Sequence, residues 1–261
     1  MFKWQFAKDY LQHRITAKTR HGLHSPFVYR LVDDVIYDFK PKKVYPEVEN
    51  LRKQLLADDR SITVTDLGAG SHVNNNKQKQ ISQIARNALK PPKLAQLLHR
   101  LVADLQPRNM IELGTCLGIT SLYLQKAAPQ AKLYTLEGCP ETAKVAKQGF
   151  EEAGEKDINL ITGNFNDTLP GLINELPQLD FVFIDGNHTK QATLDYFNWS
   201  LPKIHEGTLM IFDDIYWSKG MKEAWEIIKA HPQVSITVDL FWIGLVFFRN
   251  GKPKEDFKIK F

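Results

Sequence analysis

Met110-Ile111-Glu112-Leu113-Gly114-Thr115-Cys116-Leu117-Gly118-Ile119-Thr120 is an apolar run that ends on a carboxylate and then turns through two glycines into a helical window. A short apolar run bounded by glycine reads as a buried strand with a tight connection after it. The glycines let backbone approach a ligand closely at the start of a helix, where unpaired N–H groups point outward. Further strand-like runs follow at Lys132 to Glu137, Ile158 to Thr162, Leu179 to Ile184 and Thr208 to Phe212. Helical windows at Pro140 to Ala153, Thr189 to Leu201 and about Ser218 to Ala230 alternate with them. This order specifies a mainly parallel sheet with helices on both faces. The last two apolar runs, Ser235 to Leu240 and Gly244 to Phe248, are too close for a crossover helix and must pair antiparallel.

The expected fold class is therefore α/β, a Rossmann-like doubly wound and mainly parallel sheet with a final antiparallel strand, plus an N-terminal helical cap. The cap is read over residues 1–60, where Phe2, Phe6 and Tyr10 recur at helical spacing and a polar turn at Arg20 to Pro26 precedes a second helical window. Residues 61–90 read as a connector or lid: a β-like run, Ile62 to Leu67, then Gly68-Ala69-Gly70-Ser71, three asparagines and a polar helix. Residues 91–261 form the main domain, opened by a helix from Lys93 to Leu105. The chain has 261 residues and a formal net charge of +4, with its basic residues scattered, which does not argue for nucleic acid. Its two cysteines, Cys116 and Cys139, form no CxxC pair, so neither a disulfide framework nor a structural zinc site is indicated. No signal-like or membrane-spanning run is present, and a soluble, cytoplasmic protein without a membrane partner is expected.

The polar residues mark the chemistry. Glu112, Glu137, Asp185 and the pair Asp213-Asp214 all stand at or just past the C-terminal ends of expected strands, the rim where open α/β sheets bind ligands. Glu137 offers acceptors only, which suits a ribose diol. The loop from Glu112 to Gly118 lacks the GxGxxG spacing of dinucleotide enzymes. Together these residues describe a nucleoside site, without separating S-adenosylmethionine (SAM) from NAD.

The runs IELGTCLGITSLYL, LYTLEG, TGNFNDTLPGL, LDFVFIDGNH and GTLMIFDDI resemble, in order, the motifs of class I SAM-dependent O-methyltransferases, nearest the metal-dependent catechol and caffeoyl-CoA type. The resemblance covers roughly residues 91–249. It implies that Glu112, Gly114, Thr115 and Gly118 shape the pocket for the methionine part of SAM, with Thr120 near its carboxylate and Glu137 on the ribose. Phe165 and Asn166 would lie beside the adenine, and Asp185 near both the SAM amine and a divalent metal such as Mg²⁺, which Asp213 and Asp214 would complete. The family usually has Asp-Asn where Asp213-Asp214 stand, and the catechol type has Lys where His188 stands. A set of carboxylates still suits a hard, oxygen-seeking cation. His188, three residues after Asp185, is placed to take a proton from a small-molecule hydroxyl acceptor.

Blander readings stand beside these. The acidic residues can be helix caps, and His188 an ordinary surface histidine. Cys116 reads as a packing residue, since no base is identified for it. Gly68-Ala69-Gly70 after Asp66 is a rival cofactor loop, disfavoured because no apolar helix follows. Lys18, Arg20, His21 and His24 read as a solvated turn. The competing functions are an NAD(P)-dependent oxidoreductase and a SAM-binding protein without turnover; a homodimer is left open.

Overall fold

The computed structural model describes residues 2–65, 77–251 and 253–261, without the side chains of Phe2 and Lys3. Helix α1 (Phe2–Thr16) precedes a 3-10 turn, then α2 (Pro26–Arg30), which continues as a π-helical segment (Leu31–Ile36), and α3 (Val44–Leu56). A small antiparallel pair, β1 (Ser61–Thr63) and β2 (Gln78–Gln80), leads to α4 (Ile81–Ala88) and α5 (Pro92–Leu105). Strands and helices then alternate: β3 (Asn109–Leu113), α6 (Ile119–Ala127), β4 (Lys132–Glu137), α7 (Pro140–Glu152), β5 (Asn159–Thr162), α8 (Phe165–Glu175), β6 (Phe181–Ile184), α9 (Lys190–Ser200), β7 (Leu209–Asp213) and α10 (Lys219–Ala230). Three strands follow, β8 (Ile236–Asp239), β9 (Ile243–Phe247) and β10 (Glu255–Lys258).

The principal sheet has eight strands, and the chain divides into two compact units, Asp38–Leu172 and Met1–Tyr37 with Ile173–Phe261. The first unit carries β3, β4 and β5 in parallel register, with Glu112 opposite Thr135 and Glu137 opposite Thr162. Strand β3 is buried from Met110 to Leu113, and α6 behind its loop is buried at Ile119, Leu122, Tyr123 and Leu124. A strand covered on both faces reads as a near-continuous apolar run, which is why β3 stands out in the sequence. Helix α3 is tied to α6 by one carboxylate: Tyr123 Oη donates to Glu49 Oε1 at 2.9 Å, and Arg52 Nε donates to Glu49 Oε2 at 2.8 Å.

The second unit carries the order β10-β8-β9-β7-β6. Strands β6 and β7 are parallel, while β9 runs antiparallel to both β7 and β8, as expected for the closing hairpin. The hairpin turn is tight: Phe241 adopts φ of 73°, unusual for a bulky side chain, and its N–H donates to Asp239 Oδ1 at 2.8 Å. Helix α1 packs there, with Phe6 and Tyr10 edge-on to Phe241 at ring-centroid distances of 5.1 and 4.9 Å. His13 Nε2 lies 3.0 Å from Asp239 Oδ1. Arg20, in the polar turn after α1, pairs with Asp33.

Some expectations are corrected. The hairpin strand β9 is not the last strand, because β10 adds to β8 in parallel at the end of this group. Its sequence, Glu-Asp-Phe-Lys, alternates between half-buried and exposed positions and carries none of the apolar run by which inner strands are recognised. Helix α8 was also unforeseen, since Pro170 stands inside it and proline ordinarily reads as a break. Of the β-like run from Ile62 to Leu67, the strand takes in only Ile62 and Thr63. Leu67, the rival loop at Gly68-Ala69-Gly70 and the triple asparagine lie outside the described residues.

Gly244 is opposite Phe212 in the β7/β9 ladder, and a Cβ added there would come within 2.6 Å of the buried Trp225 ring. Gly244→Ala is expected to cost roughly 1–3 kcal/mol by overpacking, read as a fall in the thermal unfolding midpoint. An unchanged midpoint would show that Trp225 moves aside freely.

Candidate functional site

In the Asp38–Leu172 unit, the loop after β3 reverses direction through unusual backbone: Gly114 has φ of 101°, Cys116 of 50° and Gly118 of 82°. At Gly118 a Cβ would meet the Phe150 ring at 2.5 Å, so both the dihedral and the space call for glycine. The loop folds onto the end of β4. Gly114 N–H and Thr115 N–H both donate to the Leu136 carbonyl, at 2.9 and 3.1 Å. Glu137 is the hub of this arrangement. Its Oε2 accepts from Cys116 N–H at 2.7 Å, and its Oε1 from Cys139 N–H at 2.8 Å. Its carbonyl accepts from Gly163 N–H at 2.9 Å, which brings the turn before Phe165 and Asn166 to the same strand end. Burial raises the Glu137 carboxyl above the usual carboxylate range, against the backbone hydrogen bonds that favour its charged form. Each carboxylate oxygen has two lone-pair sites, so the two N–H groups fix the carboxylate and leave acceptor capacity for a diol.

Glu112 stands behind this loop. It is fully buried, accepts from Thr135 Oγ1 at 2.7 Å and from Ser121 Oγ, and its Oε1 has no partner among the described residues. Thr115 Oγ1 joins the same network at 2.6 Å from Thr135 Oγ1. Thr120, on the first turn of α6, is buried. Sequence reasoning named Glu112 and Thr115 but missed Ser121 and Thr135. The signal was present: Ser121 stands in the helix directly after the glycine loop, and Thr135 is a hydroxyl within the apolar centre of β4, between Leu133-Tyr134 and Leu136.

In the other unit, Asp185 and His188 follow β6, Asp213 ends β7 and Asp214 comes directly after it. Ligand atoms of Asp185, His188 and Asp213 lie within 4.8 Å of one another, close enough to share a metal ion. His188 Nε2 is 3.7 Å from Asp185 Oδ1 and 3.9 Å from Asp214 Oδ2. Asp213 is buried, while Asp185, His188 and Asp214 are half-buried. Asn187 and Asp214 hold left-handed backbone, with φ of 49° and 53°. The Asp214 turn is pinned by its N–H, which donates to the Trp242 carbonyl at 2.7 Å. Sequence reasoning did not foresee this tie to the hairpin.

Residues 111–215 match the family model described as a methyltransferase domain. The catechol O-methyltransferase of Niastella koreensis is 33% identical over 127 residues, which is 48% of this chain and 57% of that protein. The catechol O-methyltransferase of Mycobacterium tuberculosis is 31% identical over 123 residues, 46% of this chain and 54% of the relative. The chain spans about half the length of the curated relatives it matches. Among solved structures, an O-methyltransferase from Bacillus cereus in complex with SAH superposes with a TM-score of 0.57 and 22% identity, over 85% of this chain and 97% of that one. These findings bear out the resemblance to class I O-methyltransferases of the catechol and caffeoyl-CoA type, and the fold is theirs.

The Glu112 carboxyl is raised to about 7, first by burial, with Ser121 and Thr135 opposing. An unfolded glutamate titrates near its ordinary value, so between the two pKa values the folded chain holds a proton that the unfolded chain has lost. Stability then falls as pH rises from about 4.5 to about 7 and levels off above, a loss of about 3 kcal/mol for this group. Glu112→Gln is expected to flatten that part of the stability curve, measured by denaturant unfolding at pH 5 and pH 8. An unaltered pH slope would mean that Glu112 is charged throughout.

Proposed function

We propose that the chain is a SAM-dependent O-methyltransferase acting on a small-molecule hydroxyl with the help of a divalent cation. The observation that carries this reading is the Glu137 carboxylate, held by Cys116 N–H and Cys139 N–H at the mouth of a glycine loop. That arrangement suits a ribose diol, and the loop's departure from GxGxxG spacing together with the family match favours SAM over a nicotinamide cofactor. Gly114, Thr115, Gly118 and Thr120 shape the methionine end. Glu112 acts from behind the loop, by fixing Thr135 and Ser121, and Phe165 and Asn166 flank the adenine. SAM supplies an electrophilic methyl group.

Asp185 and Asp213 would hold the cation, with Asp214 beside them. Carboxylate oxygens are the donors that Mg²⁺ takes, and a bound cation would supply positive charge that lowers the pKa of an acceptor hydroxyl. His188 then removes the hydroxyl proton at Nε2, and the chain's remaining task is to align the acceptor oxygen with the methyl group and exclude water. The closeness of His188 to Asp185 and Asp213 favours a second reading, in which His188 is itself a ligand. The two roles exclude each other at Nε2, since one lone pair cannot bind both a metal and a proton.

Isothermal titration with SAM, S-adenosylhomocysteine and NAD, with and without Mg²⁺, should show binding of the first two alone. NAD binding in their place would end the proposal. His188→Ala should leave SAM affinity and Mn²⁺ affinity near those of the parent while turnover on the accepted hydroxyl falls about 10²–10⁴-fold. Loss of Mn²⁺ binding in that variant would assign His188 to the cation. Chelation should abolish turnover and Mg²⁺ should restore it; full activity in chelator would take Asp185 and Asp213 out of the metal role.

A further inference from the structure

The three most exposed large apolar side chains among the described residues all stand on one helix: Trp4 at 81%, Ile15 at 72% and Leu11 at 62%. Spaced by seven and four residues, they fall within about 40° of one another around an axis of 3.6 residues per turn. They form a stripe on the side of α1 away from Phe6, Tyr10 and His13, which face the β8/β9 hairpin. Helix α1 is therefore apolar on two opposite sides, and only one of them is covered within its own unit. A clustered apolar stripe of this kind marks an interaction surface, unlike singly scattered residues.

The chemistry around the stripe selects the occupant. Lys8 and Arg14, both exposed, flank it. Asp9 is the only acidic residue of the helix, and it is engaged by Lys222 Nζ at 2.6 Å. The outward side is thus basic and apolar together. Two copies meeting through α1 would bring like charges together. The stripe is also small for that purpose: at 1.5 Å rise per residue and a helix about 10 Å wide, its footprint is on the order of 160 Å², against about 800 Å² per partner in a stable interface. A lipid surface imposes no such minimum, and Trp and Leu beside Lys and Arg are the composition of helices that lie in the membrane interface.

We propose that the outer side of α1 rests on an anionic membrane surface, with Trp4, Leu11 and Ile15 entering the headgroup boundary and Lys8 and Arg14 pairing with lipid phosphates. No helix among the described residues is long and apolar enough to cross a membrane. The expectation of no membrane partner came from that criterion, which does not test for a helix lying along the surface.

Co-sedimentation of the full chain with vesicles of phosphatidylcholine containing a quarter phosphatidylglycerol tests the proposal. Binding is expected to these vesicles and not to pure phosphatidylcholine, and to weaken with salt. Lys8→Gln with Arg14→Gln should weaken it about 30-fold, taking about 1 kcal/mol per basic residue near such a surface. Leu11→Glu should abolish it, with the thermal midpoint of both variants held near that of the parent because these side chains are exposed. A blue shift of tryptophan emission on binding should disappear in Trp4→Phe. Absence of binding to the anionic vesicles, binding unaffected by the substitutions, or a concentration-dependent dimer that Leu11→Glu dissociates would each overturn the proposal.

Discussion

A carboxylate taken out of water must be met by donors or give up its charge, and Glu137 is met by two N–H groups, one at each carboxylate oxygen. One comes from Cys116, in the turn after β3, and the other from Cys139, just before α7. To deliver its N–H, Cys116 accepts a left-handed backbone, and that in turn rests on the positive φ of Gly114 and Gly118. The glycine loop and the acidic strand end are thus one device, and neither holds its shape without the other. Phe150, against which Gly118 packs without a side chain, extends the constraint to α7. The hydroxyl network of Glu112, Ser121, Thr135 and Thr115 fixes the floor beneath it.

The acidic cluster of the other unit is built differently. Asp185 and Asp213 come from the ends of adjacent parallel strands, so the β6/β7 ladder sets their spacing. Asp214 depends on the antiparallel hairpin, through the Trp242 carbonyl, and the hairpin depends on α1. The aspartate turn therefore inherits order from a helix two hundred residues earlier in the chain.

Much of this was legible in the residues, for a physical reason. Inner strands are buried on both faces and must be unbroken apolar runs, so β3, β6, β7 and β9 announce themselves, and the polar residues at their ends stand out against that background. The antiparallel pairing of β8 and β9 followed from a three-residue connection that no crossover helix can fit. Strand β10 was invisible because an edge position leaves one side in water and asks for no apolar pattern. Helix α8 was masked by Pro170. Ser121 and Thr135 were overlooked because a buried hydroxyl looks like any other polar residue until its partner is known. The two-sided character of α1 was half seen: Phe6 and Tyr10 were noted at helical spacing, but Trp4, Leu11 and Ile15 repeat with the same period on the far side.

The unit that contains α1 is assembled from both ends of the chain, whereas Asp38–Leu172 is continuous. During synthesis the continuous segment can collapse as soon as it clears the ribosome. The first helix must wait with both its apolar sides uncovered until Asp239 and Phe241 emerge, a separation of 226 residues between His13 and its partner. At about 5–20 residues per second that interval lasts on the order of ten seconds or more. Through that interval the aromatic side of α1, at Phe6 and Tyr10, has no hairpin to cover it.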